Sequence, residues 1–226
     1  MEKFLIIAAG GTGTRMGGGK IKQFIILAGK PLLMHTISVF HRYDNNIKVI
    51  LSLPPEFINQ WNDLCIEFNF GIDHTIVEGG DTRYHSVKNA LGKIHSHGLV
   101  AIHDSVRPFV SIETIKKCFD TAEKFGNAIP VTELIESVRI DNGNSNSPID
   151  REKIRIVQTP QVFRTIDIKK AYLTEADSKF TDDASVLESS GYKINLVKGN
   201  IENIKITTPF DLIVAHALIK DGKFLF

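Results

Sequence analysis

The chain has 226 residues, 42% of them hydrophobic and 23% charged, which is typical of a folded globular domain and excludes a disordered chain. Lys and Arg number 27 against 26 Asp and Glu, so the net charge is +1 and a dominant basic surface for nucleic acid is excluded. The two cysteines, Cys65 and Cys118, exclude a disulfide framework and a cysteine zinc site, and no apolar run is long enough to span a membrane. We expect a single cytoplasmic domain over residues 1–226, with no membrane or nucleic-acid partner.

Short apolar runs alternate with helical patterns along the chain. Strands are predicted at 4–9, 47–53, 75–77, 99–102 and 128–131. Apolar runs without alternation indicate strands covered on both faces, as in a parallel sheet. Helical spacing joins Val87, Leu91 and Ile94, then the set Ile112, Ile115, Phe119 and Ala122, and finally Phe210, Val214, Ala217 and Leu218, with Thr208 and Pro209 at the start of the last helix. This alternation predicts an α/β fold, a three-layer Rossmann-like sandwich with a mostly parallel sheet.

One segment, at about residues 132–157, departs from this alternation. Two β-like stretches, 134–140 and 149–157, flank a polar tract at 141–148 that contains Asn142-Gly143. A hairpin this long is marginally stable unless it packs on something. Two interpretations stay open: a surface hairpin on its own subunit, or a protruding arm that grips a second subunit.

A glycine-rich loop follows the first predicted strand. Glycines from Gly10 onward let backbone N–H groups approach phosphates closely. The loop is not a Walker A motif, because Thr14 replaces the required glycine and Ile21 follows Lys20, and Met16 replaces the third glycine of a dinucleotide fingerprint. Arg15, Lys20 and Lys22 lie within this loop, where fixed cations would stabilise charge in phosphoryl transfer. The pattern therefore favours phosphate binding over a merely flexible turn.

Polar residues also follow the fourth predicted strand. Ligands of open α/β sheets bind beyond the carboxyl ends of the strands, where Asp104 is placed to hold Mg²⁺. The alternative for Asp104 is a turn or helix cap. His103 is interpreted as an oriented structural residue, and Arg107 would buttress Asp104 or face substrate. Lys205 lies in an otherwise apolar stretch, predicted as a strand, where a buried lysine needs a counter-charge.

Six motifs together resemble those of the 2-C-methyl-D-erythritol 4-phosphate cytidylyltransferases, in the same order and over nearly the whole chain. They are residues 8–16, 22–24, 79–81, 103–108, 159–161 and 203–207. The resemblance implies a nucleotidyltransferase that transfers CMP from CTP to methylerythritol 4-phosphate, giving CDP-methylerythritol and pyrophosphate in non-mevalonate isoprenoid biosynthesis. It also implies Mg²⁺ and a homodimer in which the arm at 132–157 completes the partner's site.

The resemblance further assigns roles to residues. Arg15 and Lys22 would stabilise the transition state at the α-phosphate. Arg151, coming from the neighbouring arm, and Lys205 would position the sugar phosphate. The other implied substrate-binding residues are Asp104 (also the implied metal ligand), Arg107, Ser137 and Thr159. The implied nucleotide-binding residues are Ala8, Ala9, Gly10, Gly11, Gly80, Asp81 and Ser86.

Three alternatives stay open at this point. A ribitol 5-phosphate cytidylyltransferase shares the glycine loop and the motif at 103–108, although Asp150-Arg151 on the arm favours methylerythritol phosphate. A non-catalytic nucleotide-binding module is disfavoured by the presence of Arg15, Lys22 and the two later motif residues Asp104 and Lys205. An NAD-dependent oxidoreductase is weakened by the missing third glycine.

Overall fold

A mixed, mostly parallel sheet forms the centre of the protein in a computed structural model that describes residues 1–10, 21–173 and 180–220. In chain order the strands are β1 (Glu2–Ala8), β2 (Ile26–Leu27), β3 (Lys30–Pro31), β4 (Lys48–Leu53), β5 (His74–Glu78), β6 (Gly98–Asp104), β7 (Asn127–Glu133), β8 (Val138–Asp141), β9 (Asn146–Ile149), β10 (Arg155–Val157), β11 (Gln161–Arg164) and β12 (Leu196–Lys198). The main sheet runs β10-β7-β11-β6-β1-β4-β5, and β12 also pairs with β7.

Helices cover both faces of this sheet. They are α1 (Leu32–Tyr43), α2 (Ile58–Glu67), α3 (Arg83–Leu91), α4 (Ile112–Phe125), α5 (Thr165–Ala171), α6 (Asp183–Ser189) and α7 (Pro209–Lys220). Leu5 and Ile7 of β1 pack with α1, α2 and α4, whereas Phe4 and Ile6 pack with α3, α5 and α6. Because successive side chains of a strand point to opposite faces, β1 contributes to both cores. The predicted three-layer α/β architecture is confirmed.

Parallel pairing of β1 with β4 and β6 brings the carboxyl ends of these strands to one edge. In the register of β1 with β6, Ala8 lies opposite Asp104, and in that of β1 with β4 it lies opposite Ser52. The glycine motif after β1 and the acidic residue at the end of β6 are thus neighbours, as the strand-end argument predicts.

The arm differs from its prediction. Only β8 and β9 form the hairpin, with Val138 opposite Ile149. The second predicted stretch, 149–157, divides at a short 3-10 turn over Arg151–Lys153, after which β10 joins the main sheet by pairing antiparallel with β7. The hairpin is therefore shorter than expected and is anchored to the central sheet through β10.

Two further expectations near the C-terminus are wrong. Lys205 does not lie in a strand, because residues 203–207 have no regular structure, and it is exposed rather than buried. On α7, Phe210 and Ala217 are exposed, and Ala215 is the buried residue, which packs against Leu27, Val106 and Ile206 beside the end of β6. The helix is apolar almost all round, so spacing alone did not identify its buried face.

None of the helices within residues 1–10, 21–173 and 180–220 is both long enough and apolar enough to cross a membrane. Cys118 is fully buried and Cys65 is half-buried, and burial raises their thiol pKa values to about 12 and about 11. Both behave as packing residues.

Candidate active site

Asp104, the last residue of β6, forms the centre of a cluster of cations. Its Oδ2 lies 3.0 Å from the Arg107 Nε and 3.0 Å from the Lys205 Nζ. Its Oδ1 lies 3.8 Å from the Arg83 Nε. The Asp104 side chain is only 10% exposed. One buried carboxylate thus holds three cationic groups at the carboxyl edge of the sheet.

The charge state of Asp104 follows from these neighbours. Burial alone would raise its pKa, because desolvation disfavours the charged form. The Coulomb attraction of Arg83, Lys205 and Arg107 outweighs burial and holds the pKa of Asp104 well below its ordinary value. Asp104 is therefore ionised near pH 7.

A hydrogen-bonded chain fixes the backbone at Asp104. Its N–H donates to the Thr159 Oγ1 at 3.1 Å, and that hydroxyl lies 3.0 Å from the His103 Nδ1. The His103 Nε2 lies 3.0 Å from the Arg107 carbonyl oxygen, which can only accept, so Nε2 carries the proton and Nδ1 accepts from Thr159. Burial lowers the pKa of His103 to about 4, so the ring is neutral near pH 7. His103 is a structural residue, as interpreted from the sequence.

The irregular segment that carries Lys205 is docked on the same loop. Ile206 is buried and its N–H donates to the Val106 carbonyl at 3.0 Å. The Asn203 amide donates to the Thr159 carbonyl at 2.8 Å, and the Asn203 carbonyl accepts from the Arg107 Nη1 at 2.7 Å. These bonds hold the Lys205 backbone next to Asp104, although the Lys205 side chain is 42% exposed.

Small residues from three segments meet around the Ser86 hydroxyl. It accepts from the Gly80 N–H at 3.1 Å, and an added Cβ at Gly10 or Gly79 would lie 3.1 or 3.2 Å from it. A Cβ at Gly80 would lie 2.3 Å from the His85 Cβ. A side chain is therefore excluded at Gly80, and Gly10 and Gly79 leave little room for one, so backbone rather than side chains borders the Ser86 hydroxyl.

Lys22 begins a 3-10 turn, Lys22–Phe24, that is anchored in the core. The buried Gln23 amide donates to the Ala9 carbonyl at 2.8 Å. Phe24 stacks on Trp61 with ring centroids 5.9 Å apart. The Ala9 N–H in turn donates to Ser52, so both backbone groups of Ala9 are engaged within the protein. The two residues after Lys22 thus hold its backbone against the end of β1.

Two adjoining cavities share Arg83, Asp104 and Lys205. The first, of about 160 Å³, is lined in addition by Ala8, Gly10, Lys22, Ser105 and Val106. The second, of about 300 Å³, is lined in addition by Arg107, Val157, Gln158, Thr159, Gln161, Thr181 and Asp182. Cavities rich in Lys and Arg that meet at one carboxylate suit two phosphate-bearing ligands whose reacting groups must come together.

Comparisons with known proteins give the family of this chain. Residues 4–221 match the sequence model of the 2-C-methyl-D-erythritol 4-phosphate cytidylyltransferases. The chain belongs to this family. Relatives with that name include proteins of Bacteroides fragilis, 50% identical, and Bacteroides thetaiotaomicron, 46% identical, each aligned over 97% of this chain and 100% of the relative. Family membership confirms the predicted nucleotidyltransferase class and CMP transfer from CTP to methylerythritol 4-phosphate in isoprenoid biosynthesis.

Solved structures show the same fold. The cytidylyltransferase of Thermus thermophilus is 31% identical, with a TM-score of 0.79 over 97% of this chain and 100% of that one. The 4-diphosphocytidyl-2C-methyl-D-erythritol synthase of Anaerococcus prevotii is 27% identical, with a TM-score of 0.84 over 97% and 96%. The predicted family resemblance and fold class are therefore confirmed.

The structure brings together most of the residues predicted for the cytidylyltransferase site. Ala8, Gly10, Lys22, Asp104 and Lys205 line the first cavity, and Arg107 and Thr159 line the second. Ala9, Gly80 and Ser86 lie beside the first cavity through the contacts given above, and Asp81 follows Gly80 on the surface. Arg15 and Gly11 lie outside the described residues.

Ser137 and Arg151 are placed elsewhere, on the exposed arm, and line neither cavity of their own chain. Arg151 instead donates to the Ile135 carbonyl and borders a third cavity, of about 570 Å³, formed by arm residues. Within one subunit, then, these two predicted substrate-binding residues are apart from Asp104.

Sequence reasoning missed Arg83, which touches both cavities and pairs with Asp183. Arg83 lies one residue after the N-cap of α3, Thr82, among the predicted nucleotide-binding residues Gly80, Asp81 and Ser86. Asp183 is 100 residues further along the chain, so no local pattern links the two. An arginine beside a nucleotide-binding glycine pair is the sequence feature that could have indicated it.

The described residues hold no cluster of three or more His, Cys, Asp or Glu side chains that could bind a metal unaided. Asp104 lines both cavities, and its Oδ1 accepts no hydrogen bond from any described residue. Mg²⁺ is commonly bound by one or two carboxylates together with substrate phosphates. Asp104 therefore fits as the one protein carboxylate beside a metal that substrate phosphates also hold.

Proposed function

We propose that the two cavities at Asp104 are the CTP and methylerythritol 4-phosphate subsites, and that their cations carry the reaction. The observation behind this proposal is that Lys22, Asp104 and Lys205 line one cavity beside the strand end Ala8–Gly10. In this assignment the nucleotide occupies the side near Gly10, Gly80 and Ser86. The acceptor occupies the side near Arg107 and Thr159.

The reaction needs charge neutralisation rather than a base. A phosphate oxygen of the acceptor attacks the α-phosphorus of CTP and forms a new P–O bond. The bond from the α-phosphorus to the oxygen that bridges to the β-phosphate breaks, and pyrophosphate leaves with that electron pair. Phosphate monoesters have a second pKa of about 6, so the attacking oxygen is already anionic near pH 7. The neutral, fully buried His103 is not required as a base.

Each cation has a distinct task in this scheme. Lys22 and Arg15 bind the α-phosphate oxygens, where negative charge builds up in the transition state. Lys205 binds the acceptor phosphate and lowers the repulsion between the two anions. Asp104 holds Lys205 and Arg107 in place through its Oδ2. Arg107 and Thr159 form the wall of the acceptor subsite.

We infer that Mg²⁺ accompanies the CTP phosphates, with Asp104 as the protein carboxylate that would hold it. When bound, the ion neutralises phosphate charge and polarises the leaving pyrophosphate. The one carboxylate oxygen of Asp104 that accepts no hydrogen bond from the described residues supports this role. Cytosine and ribose would be recognised by Ala8, Ala9, Gly10, Gly11, Gly80, Asp81 and Ser86.

We also infer a homodimer in which the arm at about 132–157 reaches the partner's acceptor subsite. Exposed apolar side chains on this segment support the inference: Ile135 is 76% exposed, Ile140 48% and Ile156 45%. Several exposed apolar residues within one segment are typical of a surface that is covered by another chain. Arg151 and Ser137, which lie away from Asp104 in their own chain, would then serve the neighbouring site.

We further infer a cytoplasmic enzyme. Support comes from two cysteines that behave as packing residues, with pKa values raised by burial, rather than as a disulfide. Reduced thiols of this kind are typical of a reducing compartment.

A competition assay tests the proposed substrate. The purified protein is given CTP, Mg²⁺ and equal amounts of methylerythritol 4-phosphate and ribitol 5-phosphate, and the two CDP-alcohols are quantified by mass spectrometry. We expect CDP-methylerythritol to form in large excess, with one pyrophosphate released per product. Predominant CDP-ribitol would refute the acceptor, and CTP binding without pyrophosphate release would favour the non-catalytic module.

A further inference from the structure

Arg83 lies on the boundary between the two cavities. It is the first residue of α3, directly after Thr82, whose hydroxyl accepts from the His85 N–H at 3.3 Å. Its side chain is 32% exposed and lines both the 160 Å³ and the 300 Å³ cavity. Arg83 is therefore placed to meet a ligand in either one.

A buried carboxylate fixes the Arg83 guanidinium. Its Nη1 and Nη2 donate to the two carboxylate oxygens of Asp183 at 2.9 and 2.6 Å. Asp183 is completely buried and also accepts from the Tyr172 hydroxyl at 2.6 Å. A bidentate pair sets both the position and the plane of a guanidinium. The Asp183 backbone is itself fixed, because the preceding residue, Asp182, caps α6.

Arg83 forms an ion pair with Asp104 but no hydrogen bond. The gap between the Arg83 Nε and the Asp104 Oδ1, 3.8 Å, exceeds hydrogen-bonding distance. A guanidinium has five N–H donors, and Asp183 takes two of them. The other three make no hydrogen bond with the described residues. Arg83 thus carries a full positive charge and three available donors at the wall of both cavities.

We propose that Arg83 is a further phosphate-binding residue of this site, and that Asp183 is a positioning residue that keeps Arg83 from pairing fully with Asp104. The ligand chemistry is a phosphate group, which matches a planar, multidentate donor. That phosphate comes either from the nucleotide or from the acceptor, since Arg83 borders both subsites. The inference rests on the proposed function.

Charge supports a phosphate ligand. Lys22, Arg83, Arg107 and Lys205 face these cavities, against the lining carboxylates Asp104 and Asp182 and against Asp183, which pairs with Arg83. The partial compensation leaves the cleft electropositive, which favours anions. Without the Asp183 carboxylate, Arg83 would be free to move towards Asp104 and hydrogen-bond to it. Fewer of its N–H donors would then face the ligand.

The test uses Arg83→Lys, which keeps the charge but not the bidentate geometry, and Asp183→Asn, which keeps the shape but not the charge. Asp167→Asn is the matched control, because Asp167 accepts from Tyr192 as Asp183 does from Tyr172, but lines neither cavity. Pyrophosphate affinity is measured by calorimetry, and kcat and KM for CTP and for methylerythritol 4-phosphate by pyrophosphate release. Unfolding midpoints are recorded for every variant.

We expect Arg83→Lys to weaken pyrophosphate binding, or to raise the KM of one substrate, by about 10-fold to 100-fold, as for loss of hydrogen bonds to a charged group. The affected substrate identifies the source of the phosphate. Asp183→Asn should shift the same constant in the same direction, and the double variant should be no worse than Arg83→Lys alone, because both changes act on one guanidinium. Asp167→Asn should match the wild type.

If the Arg83–Asp183 pair only stabilises the packing of α3 against α6, the result should differ. The variants would then have lower unfolding midpoints, and the KM, kcat and pyrophosphate affinity of the folded protein would be unchanged. That result overturns the proposal. If Asp183→Asn does not fold, Tyr172→Phe, which removes one hydrogen bond to Asp183, should give a smaller shift of the same constant, and no shift overturns the positioning role. Pyrophosphate binding needs no turnover. The calorimetric measurement therefore separates failure of the inference about Arg83 from failure of the proposed reaction.

Discussion

Lys205 and Arg107 each lie 3.0 Å from the same oxygen of Asp104. Arg107 is three residues after Asp104 in the sequence, whereas Lys205 is about one hundred residues after it. The shared oxygen links the loop after β6 to the irregular segment before α7. One carboxylate therefore assembles cations that come from separate parts of the chain.

Replacement of Asp104 by Asn should disorganise this cluster. Arg83, Arg107 and Lys205 would lose their common counter-charge and repel one another, so we expect kcat/KM to fall by about 100-fold or more and the free energy of unfolding by about 1–3 kcal/mol. Steady-state kinetics and urea denaturation measure the two effects. Asp120→Asn is the control, because Asp120 pairs with Lys116 on an exposed helix face and should matter little. Wild-type kcat/KM in Asp104→Asn would contradict the assignment.

Lys22 should contribute to kcat through its charge and its fixed position. Lys22→Ala removes one donor to the transition state and should lower kcat by about 10²–10³-fold. Gln23→Leu keeps the volume but removes the hydrogen bond to Ala9, so it should lower both kcat and stability, the latter by about 1–3 kcal/mol. Lys30→Ala, an exposed lysine in β3, is the control for loss of charge. The role of Lys22 is wrong if Lys22→Ala turns over like the control.

Arg151 should act on the neighbouring subunit. Arg151→Ala and Lys22→Ala are each expected to be nearly inactive. In a heterodimer of the two, one site keeps Lys22 and receives Arg151 from its partner, while the other site lacks both. When equal amounts of the two variants exchange subunits at random, half of the dimers are heterodimers, each with one active site of two. About a quarter of wild-type activity should then be restored, as expected for a two-fold symmetric dimer. No recovery after subunit exchange, checked by mass spectrometry of the intact dimers, would argue against action in trans.

His103 should make stability depend on pH. Its pKa is about 4 in the folded protein, against an ordinary value of 6.5. The unfolded chain therefore binds a proton first as the pH falls, so the contribution of neutral His103 is complete above pH 6.5 and is lost towards pH 4. Between pH 7 and pH 5 the loss should be about 2 kcal/mol. Urea denaturation across this range should show it, and His103→Gln should flatten the profile relative to His97→Gln, an exposed control. An equal dependence of the free energy of unfolding on pH in the two variants would contradict the lowered pKa of His103.

Much of the site could be predicted because its motifs lie at strand ends. The apolar strands are continuous in sequence, and parallel pairing places Ala8 opposite Asp104 without any long-range information beyond the fold class. The glycines around Ser86 follow the same rule, since Gly80 leaves no room for a side chain. These residues are recognisable because the geometry that needs them is local.

Features that depend on distant contacts could not be predicted. Strand β11 has four residues and is defined by its antiparallel pairing with β6 and β7, not by a pattern of its own. Helix α1 buries eight of its twelve residues, and two of these, His35 and Thr36, are polar, so hydrophobicity alone does not mark its buried face. Arg83 and Asp183 meet only in the folded chain. Lys205 has the predicted counter-charge, Asp104, but reaches it from an irregular segment.

The position of bound CTP tests the central claim most directly. A crystal structure of the protein with CTP and Mg²⁺ should place the α-phosphate in the cavity lined by Ala8, Gly10 and Lys22, with its oxygens within hydrogen-bonding distance of the Lys22 ammonium. The triphosphate should lie on the Asp104 side of that cavity. A nucleotide bound elsewhere, or an α-phosphate beyond the reach of Lys22, would contradict the account.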